Sequence, residues 1–267
     1  MMRNLPNLTE AYLGRAIAQL HDERFEGALY QWLARCFEID NTTMLAYFQD
    51  RVPQVLFTQA AERRVHARLE SDYIEGAYLL DPFHALHVDR AAPGLYRLRD
   101  IAPDQFQRNE YFAVYYQGTT LVDEIAYVAY PADGVSVHIC LGRDATSQRR
   151  FSARDLERAD QVAPIVCGLI EQRWSGLRSS GDFTETGLTQ RLTERLRSVH
   201  EIALSPRQAE IALLILKGHS SVSIGLRLGI SPQTVKVFRK QLYKKCAISS
   251  QAELFSLLMP LLAEAVA

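Results

Sequence analysis

The chain has 267 residues, 48% of them hydrophobic and 23% charged, an ordinary globular composition. This excludes a disordered tail, a collagen-like rod and a mucin-like stalk, and the length suits roughly two domains, each able to bury a core. The formal charge of −1 singles out no partner. Its distribution is uneven, however. From His200 onward eight basic residues stand against four acidic ones, and every lysine lies there, while residues 1–199 use arginine alone. Such asymmetry marks two modules with different partners. Cys36, Cys140, Cys167 and Cys246 lie far apart with no CxxC pair, so neither a disulfide framework nor a zinc knuckle is expected, and a reducing cytoplasm is the expected compartment. The opening Met1–Pro6 stretch has no apolar run of the signal-peptide kind, and no segment approaches the ~18 apolar residues needed to cross a bilayer. No membrane partner is expected.

In chain order, Leu8–Leu20 and Phe25–Phe37 read as helices. Met44–Phe48 and Val55–Thr58 read as strands joined through Asp50-Arg51-Val52-Pro53. A helical pattern spans Glu62–Leu80 and stops at Asp81-Pro82. Leu121–Tyr130 and Val135–Leu141 are strand-like, with Pro131-Ala132-Asp133-Gly134 as the hairpin turn. Leu156–Trp174 returns to helix. Helices around a mostly antiparallel sheet make an α+β unit, assigned to residues 1–175.

The Gly/Ser-rich stretch Ser175–Asp182 reads as a linker, followed by one amphipathic helix, Leu188–Val199, with Leu188, Leu192, Leu196 and Val199 on one stripe. Residues 176–201 therefore form a connection. The helix packs on its own chain or pairs with its twin in a dimer, placing Leu192 and Leu196 in the seam. This connection is the visible route by which one half influences the other.

Residues 202–267 read as four helices. Ser205-Pro206 with Gln208 is a capping box with proline in the first turn, and Gly218 closes that helix. A second helix runs from about Ser220 to Leu228. Ser231-Pro232 opens a third, spanning about 231–245, and Ser250 with Glu253 opens a fourth. Short helix, glycine turn and longer helix form a helix-turn-helix. The third helix buries Val235, Phe238 and Leu242 and presents Gln233, Lys236, Lys240 and Lys244, with Arg239 alongside. Lysines four apart form one ridge whose mutual repulsion a polyanion relieves, which points to double-stranded DNA. Ser231, Thr234 and the helix N-terminus suit phosphate oxygens.

The run Leu204–Glu210, then Gly218, Ile224, Leu228, Ile230-Ser231, Thr234-Val235-Lys236 and Tyr243-Lys244-Lys245 resembles the DNA-binding domain of LuxR-type (NarL/GerE-like) transcription regulators over about residues 202–265. The resemblance implies base-edge contact from Lys236, Val237 and Lys240, with Thr234 and Lys244 near the backbone. Phe238, Cys246 and Ser221-Val222-Ser223 depart from the family's usual residues.

The order of elements in the first half is similar to the GAF/PAS-like or autoinducer-binding-like sensor of the same regulators. Tyr78-Leu79-Leu80-Asp81-Pro82 resembles the Tyr…Asp-Pro stretch of acyl-homoserine-lactone receptors, in which the aspartate accepts a bond from the ligand amide. The only tryptophans are Trp32 and Trp174, and the neighbouring tryptophans of that family are missing, so the chain resembles a LuxR-type solo answering another small molecule. The candidate ligand groups are Tyr78, Asp81, Tyr111, Phe112, Tyr115, Tyr116, Asp123 and Glu124, since carboxylates among aromatic rings suit an amine or quaternary ammonium. Against this stands the plainer reading of an aromatic core with a solvated Asp-Glu pair.

No GxSxG, P-loop or GxGxxG motif occurs, and no catalytic residue, metal ligand set or cofactor is expected. His84 and His87, near Asp81 and Asp89, lack a third placed ligand. The expectation is a ligand-responsive homodimeric regulator with its recognition helix in the major groove. The alternatives are an acyl-homoserine-lactone receptor for quorum sensing, and a small-molecule carrier or enzyme with a helical interaction tail.

Overall fold

The computed structural model describes residues 9–49, 51–179 and 185–264. Asp50 of the first strand connection, residues 180–182 of the linker, Leu8 of the first helix and the Met1–Pro6 stretch lie outside the described residues.

The first half opens with α1 (Thr9–Ala18) and α2 (Phe25–Cys36), followed by β1 (Asn41–Phe48) and β2 (Gln54–Ala60). The helix expected over Glu62–Leu80 is broken into a 3-10 turn at Arg63–His66, a π turn at Leu69–Tyr73 and a second 3-10 turn at Ala77–Leu80. Gly76 stands between the last two at φ +153°, a backbone state that a side chain disfavours, and interrupts the helical path. Next come α3 (Pro82–Val88), β3 (Gly94–Arg97), α4 (Leu98–Ile101) and α5 (Glu110–Val114). Each is seven residues or shorter, too short for a periodic pattern to announce it.

The hairpin is tighter than expected. β4 (Leu121–Ala132) and β5 (Val135–Asp144) run on to pair Ala132 with Val135, leaving only Asp133-Gly134 as the turn. Then α6 (Ala153–Arg173) begins at a reciprocal Ser152/Asp155 capping box.

The five strands form one antiparallel sheet in the order β2-β1-β5-β4-β3. Side chains alternate between its faces. On one face Met44, Ala46 and Phe48, Ile125 and Tyr127, and Val137 and Ile139 pack with Leu29, Trp32, Val166 and Ile170 of α2 and α6. On the other, Leu45, Tyr47, Ala126 and Cys140 join a second cluster that extends into the C-terminal helices.

Those helices are α7 (Glu185–His200), α8 (Pro206–Lys217), α9 (Ser221–Leu228), α10 (Pro232–Lys245) and α11 (Gln251–Glu264). The expected caps form. Ser205 and Gln208 bond reciprocally, Gly218 ends α8 at φ +96°, and Ser231 accepts from the Thr234 amide at 3.0 Å. Ser250 accepts from the Glu253 amide at 3.1 Å.

Of the two placements open to the amphipathic helix, packing within its own chain is the one found, and the view of the connection as the visible route between the halves is corrected. Leu192 and Leu196 are 0% exposed within their own chain, where α7 packs on α8 and α11, so they are not a seam between copies. Nor is the connection the only route between the halves. Phe106 and Tyr111 of the first half share one apolar cluster with Leu216, Leu261 and Leu262 of the second.

Candidate functional site

The helix α10, expected to enter the major groove, has two faces. Val235 and Leu242 are fully buried and Phe238 half-buried, which locks the helix onto the unit. The opposite face is open: Ser231, Gln233, Thr234, Lys236, Lys240 and Lys244 are exposed, and Val237 is 48% exposed. The three lysines recur every four residues and so share one line along the helix. Ser231 is already committed. Its hydroxyl caps the Thr234 amide and meets the Thr234 hydroxyl at 2.7 Å. Arg239 departs from the expected ridge. Its guanidinium donates to the Tyr243 hydroxyl at 3.0 Å and to Gln251 Oε1 at 3.3 Å, fastening α10 to α11. Lys245, although exposed, is also engaged within the unit, donating to the Ala203 carbonyl and to Gln208 Oε1.

The candidate ligand residues of the first half converge, with one exception. Asp81 caps α3 by accepting from the Phe83 amide at 2.8 Å, and also accepts from Tyr73 Oη at 2.7 Å and Tyr111 Oη at 3.3 Å. Tyr73 meets Tyr47 hydroxyl to hydroxyl at 2.5 Å. Tyr116 donates to Glu124 at 2.7 Å. The rings interleave: Tyr111 stacks on Tyr115 with centroids 5.7 Å apart, Phe112 stacks on Tyr116 at 5.4 Å, and Tyr78 lies 6.3 Å from Tyr73. Burial, reinforced by the charge of Asp81, pushes the Glu124 carboxyl up to about 8, and burial raises Asp81 too. Asp123 is the exception. Alternation along β4 turns it away from Glu124, and it accepts from the amides of Phe151 at 3.0 Å and Glu124 at 3.2 Å. A cavity of about 730 Å³ adjoins the cluster, with Phe106, Phe112, Tyr116, Leu121, Asp123 and Arg150 in its wall.

The same sheet face carries polar residues that the sequence reading did not single out for this site. His87 Nδ1 lies 2.7 Å from Ser136 Oγ, which lies 3.0 Å from His138 Nε2. The Ser136 hydroxyl thus bridges the two imidazole rings. Among the described residues, His138 Nδ1 is buried without a hydrogen-bond partner. Tyr47 lies against His138 and His84, with centroids 4.7 and 5.2 Å away. Burial depresses all three histidines, His87 to about 4. The sequence signal was the alternation Val135-Ser136-Val137-His138-Ile139-Cys140, which by itself reads as a wet face.

Residues 202–258 match the family described as "Bacterial regulatory proteins, luxR family". A "Putative HTH-type transcriptional regulator in exeN 3'region" from Aeromonas salmonicida is 30% identical over 184 residues, which cover 67% of this chain and 93% of that protein. The chain belongs to the LuxR family of transcription regulators. The likeness extends to the first half of this LuxR-family chain. The crystal structure of the VqsR LBD domain from Pseudomonas aeruginosa superposes with a TM-score of 0.54 at 26% identity, over 63% of this chain and 98% of that one. A crystal structure of SdiA from Escherichia coli aligns over 96% of this chain and 99% of its own at 15% identity, with a TM-score of 0.39. The LuxR-family chain thus joins a ligand-binding-domain fold to a helix-turn-helix. Among its described residues no helix is long and apolar enough to cross a membrane.

Proposed function

We propose that this LuxR-family regulator acts in the cytoplasm as a homodimer on double-stranded DNA, with α10 in the major groove and a small-molecule effector in the sensor half. The sensor unit is assigned to residues 1–175 and the DNA-binding unit to 202–267. The α7 helix within 176–201 rides on the second unit. The observation that carries the reading is the exposed Lys236–Lys240–Lys244 line on a helix whose other side is locked into the core. Lys236, Val237 and Lys240, with Gln233, are the proposed base-reading residues. Ser231, Thr234 and Lys244 are the proposed phosphate contacts, and Arg239 supports them by holding α10 in place.

Gel shifts across a salt series test this reading. Binding should weaken linearly in log–log form, and Lys236→Ala with Lys240→Ala should lower specific affinity by ~1–3 kcal/mol per base contact without unfolding the chain. Unchanged affinity in the double variant rejects α10 as the reading helix.

For the effector, a cationic amine is favoured. Asp81 and Glu124 sit among tyrosine rings, and among the described residues the hydrogen bonds they accept come from neutral groups. An ammonium group between them would return both carboxylates to their charged form while facing the rings. Alkylammonium titration followed by thermal shift checks this, with Asp81→Asn and Glu124→Gln expected to abolish the response. Native mass spectrometry of the full chain reads dimer and retained ligand together. Retention of a neutral acyl lactone would favour the quorum-sensing alternative.

A further inference from the structure

Three hydrogen bonds tie one sensor segment to the connection between α8 and α9. The Gln105 amide donates to the Gly218 carbonyl at 2.9 Å, Asn109 Nδ2 donates to the Leu216 carbonyl at 3.3 Å, and the Ser220 amide donates to Asp104 Oδ1 at 2.9 Å. The sensor groups therefore satisfy carbonyls at the end of α8 and the capping amide of α9, which helix ends leave without intrahelical partners. Gly218 permits the approach, since a Cβ there would stand 2.7 Å from Asn109 Nδ2 and 3.1 Å from the Phe106 backbone. Beside it, Asp89 of the sensor lies 3.8 Å from Arg227 of α9.

In a helix-turn-helix, the helix before the recognition helix lies across the phosphodiester backbone, and helix N-termini donate to phosphate oxygens. We propose that the sensor half restrains DNA binding through a carboxylate latch: Asp104 occupies the N-terminal end of α9, and Asp89 its cation Arg227, in place of two DNA phosphates. The inference rests on the DNA-binding reading above.

The latch segment runs directly into the proposed effector site. Phe106 lies 6.0 Å from Tyr111, 5.5 Å from Phe112 and 5.7 Å from Tyr116, ring to ring. Tyr111 and Tyr116 hold Asp81 and Glu124. A ligand that displaces these rings shifts residues 104–109 with them and favours the released arrangement, which is how differential affinity becomes control.

The test uses the full chain and a random-sequence DNA duplex of about 30 base pairs, followed by fluorescence anisotropy at several salt concentrations. Asp104→Ala combined with Asp89→Ala should raise affinity about tenfold and steepen the log K against log salt slope by nearly two, one phosphate for each freed group. Asp160→Ala removes an exposed charge from α6 and should change affinity less than twofold. A gain no larger than that of Asp160→Ala overturns the latch. Independently, Asp104→Cys with Ser220→Cys should form a disulfide whose oxidised form binds DNA at least tenfold more weakly than its reduced form. Equal binding in the two redox states overturns the latch while leaving the DNA-binding reading intact. No binding by any form, with the double alanine variant and the reduced chain as silent as the wild type, overturns both.

Discussion

Tyr116 donates its phenolic hydrogen to Glu124 across 2.7 Å in a site where burial, helped by Asp81, pushes the Glu124 carboxyl up to about 8. Between the ordinary glutamate value near 4.5 and about 8, the folded chain holds a proton that the unfolded chain has released. Stability therefore falls as pH rises through that window and is flat with respect to this group below it. Glu124→Gln keeps an acceptor for Tyr116 and removes the titration. The variant should be more stable than the parent by about 1 kcal/mol or more at pH 8 and equal to it near pH 4, as read from urea midpoints at the two values.

The His87–Ser136–His138 chain works in the opposite direction. Burial holds the histidines neutral, with His87 lowered to about 4 and His84 and His138 well below their usual value. Above about 6.5 both folded and unfolded chains carry them neutral, so they add no pH dependence. As pH falls from there, the unfolded chain gains protons that the folded chain refuses, and stability drops by up to about 1.4 kcal/mol per pH unit per histidine. His138→Gln should flatten the acid limb of the profile by one proton's worth. An acid limb of the same slope in parent and variant would contradict the buried neutral assignment.

Leu192→Asp separates core from seam. The side chain is buried within its own chain, so the carboxylate enters apolar packing among α7, α8 and α11. The expected outcome is a loss of about 4 kcal/mol or more, with premature unfolding in a thermal scan. A folded, soluble monomer on size exclusion with light scattering would instead restore this helix as the contact between copies.

Gly218→Ala probes the junction of the halves. At φ +96° an alanine is strained by ~1–2 kcal/mol, and its methyl meets Asn109 and the backbone of Phe106. The variant should lose stability and expose the latch segment. Amide hydrogen exchange at Gln105 and Ser220, whose amides bond across the junction, should accelerate more than exchange in the β1–β5 ladder.

The helix-turn-helix was legible in the sequence because its signals are local. Ser205-Pro206, Gly218, Ser231-Pro232 and Ser250 act within one turn of chain, and Val235 and Leu242 repeat at the helical period, so helix bounds and inward faces follow from neighbours a few residues away. The long strands β1, β4 and β5 were legible for the same reason. What only the tertiary structure decided is which alternating face stays wet and which helical stripe finds which partner. Ser136 and His138 occupy positions that alternation alone assigns to solvent, yet helices and turns from elsewhere in the chain cover that face and leave both 0% exposed. Arg239 stands beside a lysine ridge by sequence, but Tyr243 and Gln251 draw it inward. Asp104 carries no motif at all. Its role comes from a contact 116 residues away with the Ser220 amide. Such pairings depend on how two folded units meet, and that is set by the complementary shape and charge of whole surfaces, which no local period or spacing encodes.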